Sequence, residues 1–299
     1  MRAVLLNETG GPEVLRIEDV PRPEPGEGEV LIRVRAASIN PIDWKFRRGL
    51  VPKQLPAVLG NDISGTVEQT RVEGVAEGED VFGFAPNGAY AEFVVAPPPA
   101  ITKKPPGLSH EQAAALPVAA LTAWQALFDR GGLTPGQTLL VAGAAGGVGH
   151  LAVGLGKHAG ARVIGTGSRR NRDFVLGLGA DEYVDYTSQD VAEAVSGVDV
   201  AFDTVGGETT KTLLPTVREG GTLVLIAGAP PEVEAAERGV RAELMKMSPS
   251  RDQLARIAEL IADGELHVEI AGTFSLSEVD KAHELSEAGH TRGKLILLP

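Results

Sequence analysis

The chain has 299 residues and no cysteine. Without a thiol there is no disulfide framework, no cysteine-ligated zinc, no iron–sulfur cluster and no thiolate nucleophile, so chemistry falls to other side chains or to a borrowed cofactor. Positive charge is also short: 28 Lys+Arg against 40 Asp+Glu leave a net charge of −12. Such a surface repels phosphate backbones, which makes nucleic acid a poor main partner. A long hydrophobic run is missing too. The uncharged stretch Leu139 to Gly156 is crowded with Gly and Ala and is closed by Lys157, and Met1 to Val14 has no apolar core of signal-peptide length. These absences predict a cytoplasmic protein with no membrane segment. A hydrophobic fraction of 43% and a charged fraction of 23% are those of a globular protein, and the length suggests two domains.

The first part of the chain reads as β-rich. Glu29 to Ala37 and Tyr90 to Ala96 alternate apolar and polar residues, Ser64 to Glu68 forms a shorter strand, and Pro/Gly clusters such as Pro21 to Gly28 separate them. At Ser109, with Gln112 three residues on, a capping box predicts a helix start; Pro117 interrupts it and a second helix is expected over Val118 to Phe128. Beyond Gly136 short apolar strands alternate with helices: Thr138 to Ala142, Arg162 to Thr166, Tyr183 to Tyr186, Asp199 to Thr204, Thr222 to Ala227, and a sixth at Arg241 to Lys246. This alternation implies parallel strands joined by right-handed crossovers, hence a doubly wound α/β sheet. The tail is mixed, with helices at Gln253 to Ala262 and Ser277 to Glu287 and strands near Val268 to Phe274 and at Lys294 to Leu298.

The strand Thr138 to Ala142 runs straight into Gly143-Ala144-Ala145-Gly146-Gly147-Val148-Gly149 and then a helix through His158. Glycines at a strand-to-helix turn let the backbone approach a pyrophosphate lying on the helix N-terminus, and the last one lets helix and strand pack closely. Ala144 replaces the first Gly of the usual fingerprint. Gly143, Ala145, Gly146, Gly147, Val148 and Gly149 are therefore expected to cradle a dinucleotide. The end of the next strand selects which one. An NAD site usually places a carboxylate there for the ribose hydroxyls; this chain has Gly167-Ser168-Arg169-Arg170-Asn171-Arg172, with no carboxylate before Asp173. Ser168 leaves room for a 2′-phosphate, and Arg169 or Arg172 can neutralise it, at roughly 1.5–3 kcal/mol per charge-assisted contact. NADPH is the expected cofactor.

With these motifs assembled, the chain resembles the medium-chain dehydrogenase/reductase superfamily, and within it the zinc-independent quinone oxidoreductase-like branch. The resemblance rests on Asn40-Pro41-Ile42-Asp43-Trp44-Lys45, Leu59 to Gly65 (LGNDISG), Gly88 to Val95, Ala120 to Trp124, the glycine turn, Leu178 to Asp181, Asp203 to Gly207 and Gly293-Lys294. It implies a GroES-like catalytic domain (1–116, completed by 249–299) packed on a Rossmann domain (117–248), with the site in the cleft, and a homodimer. Zinc-dependent members take ligands from a Cys and a His where this chain has Asn40 and Asn61, so a metal-free site is expected. What then remains is hydride transfer from NADPH to a quinone or an α,β-unsaturated carbonyl. Asn40, Asp43 and Lys45 are the candidate catalytic residues: Asn40 as amide donor, Lys45 to stabilise the oxyanion, Asp43 to hold Lys45 or relay protons, with solvent as the other proton source. Thr122, Tyr186, Val205 and Gly228 carry over as cofactor contacts. The competing reading is a non-catalytic NADPH-binding protein with a structural or regulatory role.

Overall fold

In the computed structural model all 299 residues, Met1–Pro299, are described. The chain divides into two compact units, one comprising Met1–Val118, Pro249–Asp263 and Val268–Pro299, the other Ala119–Ser248 and Gly264–His267. The tail does not belong whole to the first unit, as the expected boundary at residue 249 would have it. Glu265 pairs with His158 at 3.1 Å and Leu266 packs beside Gly154, so Gly264–His267 stays with the second unit.

The first unit contains eight strands before residue 104: β1 (Arg2–Leu6), β2 (Leu15–Asp19), β3 (Val30–Ile39), β4 (Ala57–Val58), β5 (Asp62–Thr70), β6 (Asp80–Phe84), β7 (Phe93–Ala96) and β8 (Ile101–Lys103). The second contributes β9 (Thr138–Ala142), β10 (Arg162–Gly167), β11 (Glu182–Asp185), β12 (Val198–Asp203), β13 (Val217–Leu225) and β14 (Arg241–Leu244), and the tail returns β15 (Ile270–Ser275) and β16 (Lys294–Leu298) to the first. A small antiparallel sheet runs β2-β1-β4; the larger one runs β15-β16-β3-β5-β6-β8, with β7 also on β3. In β3 the alternation seen in the sequence is realised: Arg33 and Arg35 point to solvent between buried Ile32, Val34 and Ala36. Ile32 and Val34 join Val4, Ile63 and Leu297 in one core.

The second unit is one sheet in the order β11-β10-β9-β12-β13-β14, every pair parallel. Counted along the chain this is third, second, first, fourth, fifth, sixth, so the order reverses between β9 and β12, the switch point at which doubly wound sheets bind dinucleotides. Two expectations need correction here. The single helix over Val118 to Phe128 is an α-helix, Pro117–Trp124, that widens into π turns over Gln125–Arg130; Pro117 opens it, because its missing N–H costs nothing in a first turn. And β13 begins at Val217, earlier than Thr222, because the polar stretch Arg218–Gly221 reads as a loop although Val217 pairs with Val198 across an irregularity.

Candidate active site and cofactor cradle

In the second unit the predicted cofactor residues other than Thr122 follow the carboxyl ends of the strands. The glycine turn follows β9 and leads into the helix Gly149–His158, whose first N–H groups lack intrahelical partners. Gly143 has φ +69°, a conformation costly for other residues, and a Cβ there would stand 2.5 Å from Thr204 Oγ1. Thr204 in turn donates to the carbonyl of Ala142 at 2.7 Å, joining the turns after β9 and β12 across the switch point. His150, fully buried, holds the loop through Nδ1 against the Gly146 carbonyl at 2.8 Å. A Cβ on Gly149 would meet Gly143 O at 2.1 Å, so the backbone can approach here only because no side chain intervenes.

Ser168 caps the short turn Arg169–Asn171 from an extended conformation and makes no side-chain cap bond, so its hydroxyl is uncommitted. Tyr183 OH donates to the Ser168 carbonyl at 2.7 Å and pins the end of β10. Arg169 and Arg172 are exposed, and Arg172 lies 3.6 Å from Asp173. Tyr186, 51% exposed, follows β11, and Val205, 55% exposed, follows β12. Asp203 organises that last turn: Oδ1 accepts from the N–H groups of Val205 and Gly206 at 2.9 Å each, and Oδ2 from Thr210 Oγ1 at 2.6 Å. Gly228, at φ +82°, follows β13. Thr122 sits buried in the helix Pro117–Trp124. No local motif marks Tyr183 or Thr204, whose contacts join segments 15 and 62 residues apart, nor His150, whose contact lies within the glycine turn itself. The turn and its positive-φ glycine fit the pyrophosphate of a dinucleotide, and Ser168, Arg169 and Arg172 stand at the end of the neighbouring strand.

In the first unit Asn40 caps the helix Pro41–Arg47, with Pro41 in the first turn. Asp43 Oδ2 accepts from the backbone N–H of Asn40 and from Tyr90 OH, both at 2.8 Å, and both residues are fully buried. Lys45 is not held by Asp43. Its ammonium lies 5.7 Å from the Trp44 ring centroid, because along a helix residues two apart point to different faces. The buried network runs elsewhere: Asn40 Nδ2 and Ser38 Oγ both donate to Asp62 Oδ2 at 2.9 Å, and Lys294 Nζ donates to Asn40 Oδ1 at 2.5 Å and to Ile39 O at 3.1 Å. The helix carrying Asn40 is anchored at its other end, where buried Arg47 and neighbouring Arg48 both pair with Glu287.

Burial controls the charges in this network. It pushes the Asp43 carboxyl from its ordinary 3.8 up to about 6, against the hydrogen bonds from Asn40 and Tyr90. It raises Asp62 and lowers Lys294, each opposed by the other's charge. Tyr90 is raised well above its usual value by burial and the neighbouring Asp43 charge, so it remains a donor. The Asp43 shift has a thermodynamic consequence. A carboxyl whose folded-state pKa exceeds its unfolded one contributes stability that is complete below 3.8 and lost as pH rises through about 6. Asp43→Asn, neutral throughout, is expected to gain stability on wild type across that window, by up to about 3 kcal/mol at 1.36 kcal/mol per unit. Melting temperatures at pH values on either side of the window check this; parallel curves would refute it.

No group of three or more His, Cys, Asp or Glu stands together as a metal site. Asn40 is already engaged by Lys294 and Asp62, so this donor set does not fit a catalytic zinc. No helix is long and apolar enough to cross a membrane.

Residues 26–106 match the family model "Alcohol dehydrogenase GroES-like domain" and residues 178–297 the model "Zinc-binding dehydrogenase". A chloroplastic NADPH-dependent alkenal/one oxidoreductase of Arabidopsis thaliana is 32% identical, over 100% of this chain and 80% of its own. Among solved structures, the quinone oxidoreductase from Coxiella burnetii superposes with a TM-score of 0.95 at 37% identity, covering 100% of this chain and 99% of that one. A mycobacterial protein complexed with NADPH superposes with a TM-score of 0.92 at 32% identity, covering 100% of both chains.

Proposed function

The chain belongs to the medium-chain dehydrogenase/reductase superfamily, in its zinc-independent quinone oxidoreductase-like branch, and from this membership we propose that it is an NADPH-dependent reductase of quinones or activated alkenes. The observation that supports the reading most is the glycine turn at the switch point, followed at the end of the next strand by Ser168, Arg169, Arg170 and Arg172 with no intervening carboxylate. An acidic chain that concentrates three arginines there is suited to one more phosphate than NAD has. The relatives are an alkenal/one oxidoreductase named as NADPH-dependent, a quinone oxidoreductase and a protein complexed with NADPH.

When bound, the nicotinamide supplies the hydride. The chain's own residues bind and orient. Gly143, Ala145, Gly146, Gly147, Val148 and Gly149 hold the pyrophosphate; Ser168, Arg169 and Arg172 hold the 2′-phosphate; Thr122, Tyr186, Val205 and Gly228 line the remainder. On the acceptor, negative charge develops at a carbonyl or quinone oxygen, and preorganised donors lower the barrier where that charge appears. Asn40 is the donor best prepared for this role, with Lys45 as the cation in the helix that Asn40 caps. Asp43, poised near pH 6 and hydrogen-bonded to Tyr90, is suited to proton exchange. Lys45→Ala is expected to lower kcat at least about tenfold, roughly 1.4 kcal/mol of transition-state stabilisation. Unchanged kinetics would remove Lys45 from the mechanism.

The test of the function itself is NADPH oxidation, followed by absorbance, against benzoquinone, phenanthrenequinone, an alkenal, a cyclic enone and an enoyl thioester. Turnover of at least one is expected. No turnover of any, with NADPH still bound, would favour the non-catalytic reading. The homodimer is part of the proposal, with β14, one of the two edge strands of the six-stranded sheet, as the pairing element; light scattering should return twice the mass of one chain.

A further inference from the structure

Lys294 is 4% exposed and enters none of the roles assigned so far. Antiparallel pairing sets Leu295 of β16 opposite Ile39 of β3, which brings the ammonium of Lys294 to Asn40, 254 residues earlier in the chain. The Asn40 carboxamide is thereby gripped at both ends by opposite charges. Its Oδ1 accepts from Lys294 Nζ at 2.5 Å and its Nδ2 donates to Asp62 Oδ2 at 2.9 Å. Asp62 is fully buried and receives two further bonds, from Ser38 Oγ at 2.9 Å and from the backbone N–H of Val118 at 3.2 Å, so the anionic end is itself fixed.

Amide orientation is often ambiguous, because oxygen and nitrogen look alike. Charge removes the ambiguity here. A flipped Asn40 would set its NH2 against an ammonium and its oxygen against a carboxylate, two like-to-like contacts in a region with little water to screen them. Only one of the two Nδ2 protons is taken by Asp62. A cation on the oxygen also draws density from the nitrogen through the amide conjugation and makes the second N–H a stronger donor. An ion pair that merely filled the core would have no need of an amide between its members.

We propose that Lys294 is a positioning residue: with Asp62 it locks and polarises the Asn40 carboxamide so that the remaining Nδ2–H is presented as a preorganised donor to the oxygen of the hydride acceptor. The second half of this statement rests on the reductase reading above; the first half, the lock, stands without it.

The experiment uses Lys294→Met, which keeps the length of the side chain and removes the charge, together with Lys294→Met/Asp62→Asn, which also removes the anion left behind and retains an acceptor for Asn40. Purified full-length proteins are compared with wild type. Lys294→Met is expected to lower kcat at least about tenfold with KM for NADPH within about twofold, and Lys294→Arg to recover part of the loss. In an Asn40→Ala background the same substitution should cost less than about twofold, since a residue acting through Asn40 has nothing left to position. The double variant should regain thermal stability without regaining kcat. A full-sized loss in the Asn40→Ala background, or recovery of kcat once charge is balanced, would overturn the positioning role in favour of simple charge neutralisation.

A second readout is independent of turnover. The Asn40 side-chain amide resonances, assigned with Asn40→Ala, should be displaced from ordinary values and slow to exchange in wild type, and should relax toward ordinary values in Lys294→Met/Asp62→Asn. If they do not change, the lock is wrong whatever the kinetics. If wild type turns over no acceptor while the resonances respond as expected, the reductase reading fails and the lock stands.

Discussion

Gly149→Ala is expected to cost more than any other single-methyl addition to the cofactor unit. The new Cβ would lie 2.1 Å from the Gly143 carbonyl oxygen, 2.8 Å from its carbon and 3.0 Å from Ala144 Cα. All three atoms are backbone, so no side chain can rotate out of the way. The φ of Gly149 is helical rather than left-handed, which makes the penalty one of space alone. Relief requires the first turn of the helix to lift from the end of β9, and the amides that face the pyrophosphate lift with it. Overpacking of this kind costs about 1–3 kcal/mol, and for a unit of this size that lowers the melting temperature by about 5 °C. The affinity for NADPH should fall further, by about a hundredfold, because misdirected N–H groups lose charge-assisted bonds of roughly 1.5–3 kcal/mol each. Gly177→Ala is the control: it ends the helix Arg172–Gly177 and nothing lies within 4 Å of its Cβ, so it should leave binding intact and stabilise slightly. Calorimetric titration and thermal melts of both variants decide the matter. Wild-type affinity in Gly149→Ala would mean that close packing at this point does not shape the cradle.

Arg169→Ala with Arg172→Ala is expected to reverse the preference between cofactors. Both guanidinium groups are exposed; Arg172 is 59% so, and its contact with Asp173 at 3.6 Å is too loose and too wet to hold it. Their contribution to an anion arriving beside Ser168 is therefore at the lower end of the charge-assisted range. Two contacts at about 1.5 kcal/mol each amount to about a hundredfold in KM for NADPH. NADH, which lacks the phosphate, should be unaffected. The loss should shrink at high salt, since exposed charges are screened within about 10 Å at 0.1 M. Ser168→Asp should add to the effect by placing a carboxylate where the ribose hydroxyls of NADH can use it and the phosphate cannot. Equal losses for the two cofactors, or a wild-type KM for NADH at or below that for NADPH, would defeat the assignment of NADPH.

Much of the second unit could be read from local pattern. Thr138–Ala142 is bounded in the structure as the sequence predicts, and so is Lys294–Leu298, since short apolar runs flanked by glycine or charge leave little freedom in where a strand starts. The Ser109–Gln112 box forms with bonds of 3.0 and 3.1 Å because it involves only neighbours three apart. Where pattern failed, a distant partner intervened. Tyr90 to Ala96 reads as one strand, yet β7 starts at Phe93 and the Tyr90 hydroxyl turns inward to Asp43, 47 residues away. Closeness in sequence links Lys45 to Asp43, although helical geometry sends them to different faces.

What the sequence determines alone is what adjacent residues can do: a glycine turn between a strand and a helix, arginines where a carboxylate would select NAD, asparagines in place of metal ligands, and the alternation that makes a parallel sheet. What only the tertiary structure decides is which of these side chains is held, and by what. Lys294 stood in a recognised Gly-Lys pair with no role, because nothing near it in the chain is its partner. The pairing of β16 with β3 puts its ammonium on Asn40, and Asp62 fixes the other end of the same amide. Contacts of such sequence separation form only when the core closes, since the entropy of bringing the two segments together is offset by burial of the strands between them and not by any local preference.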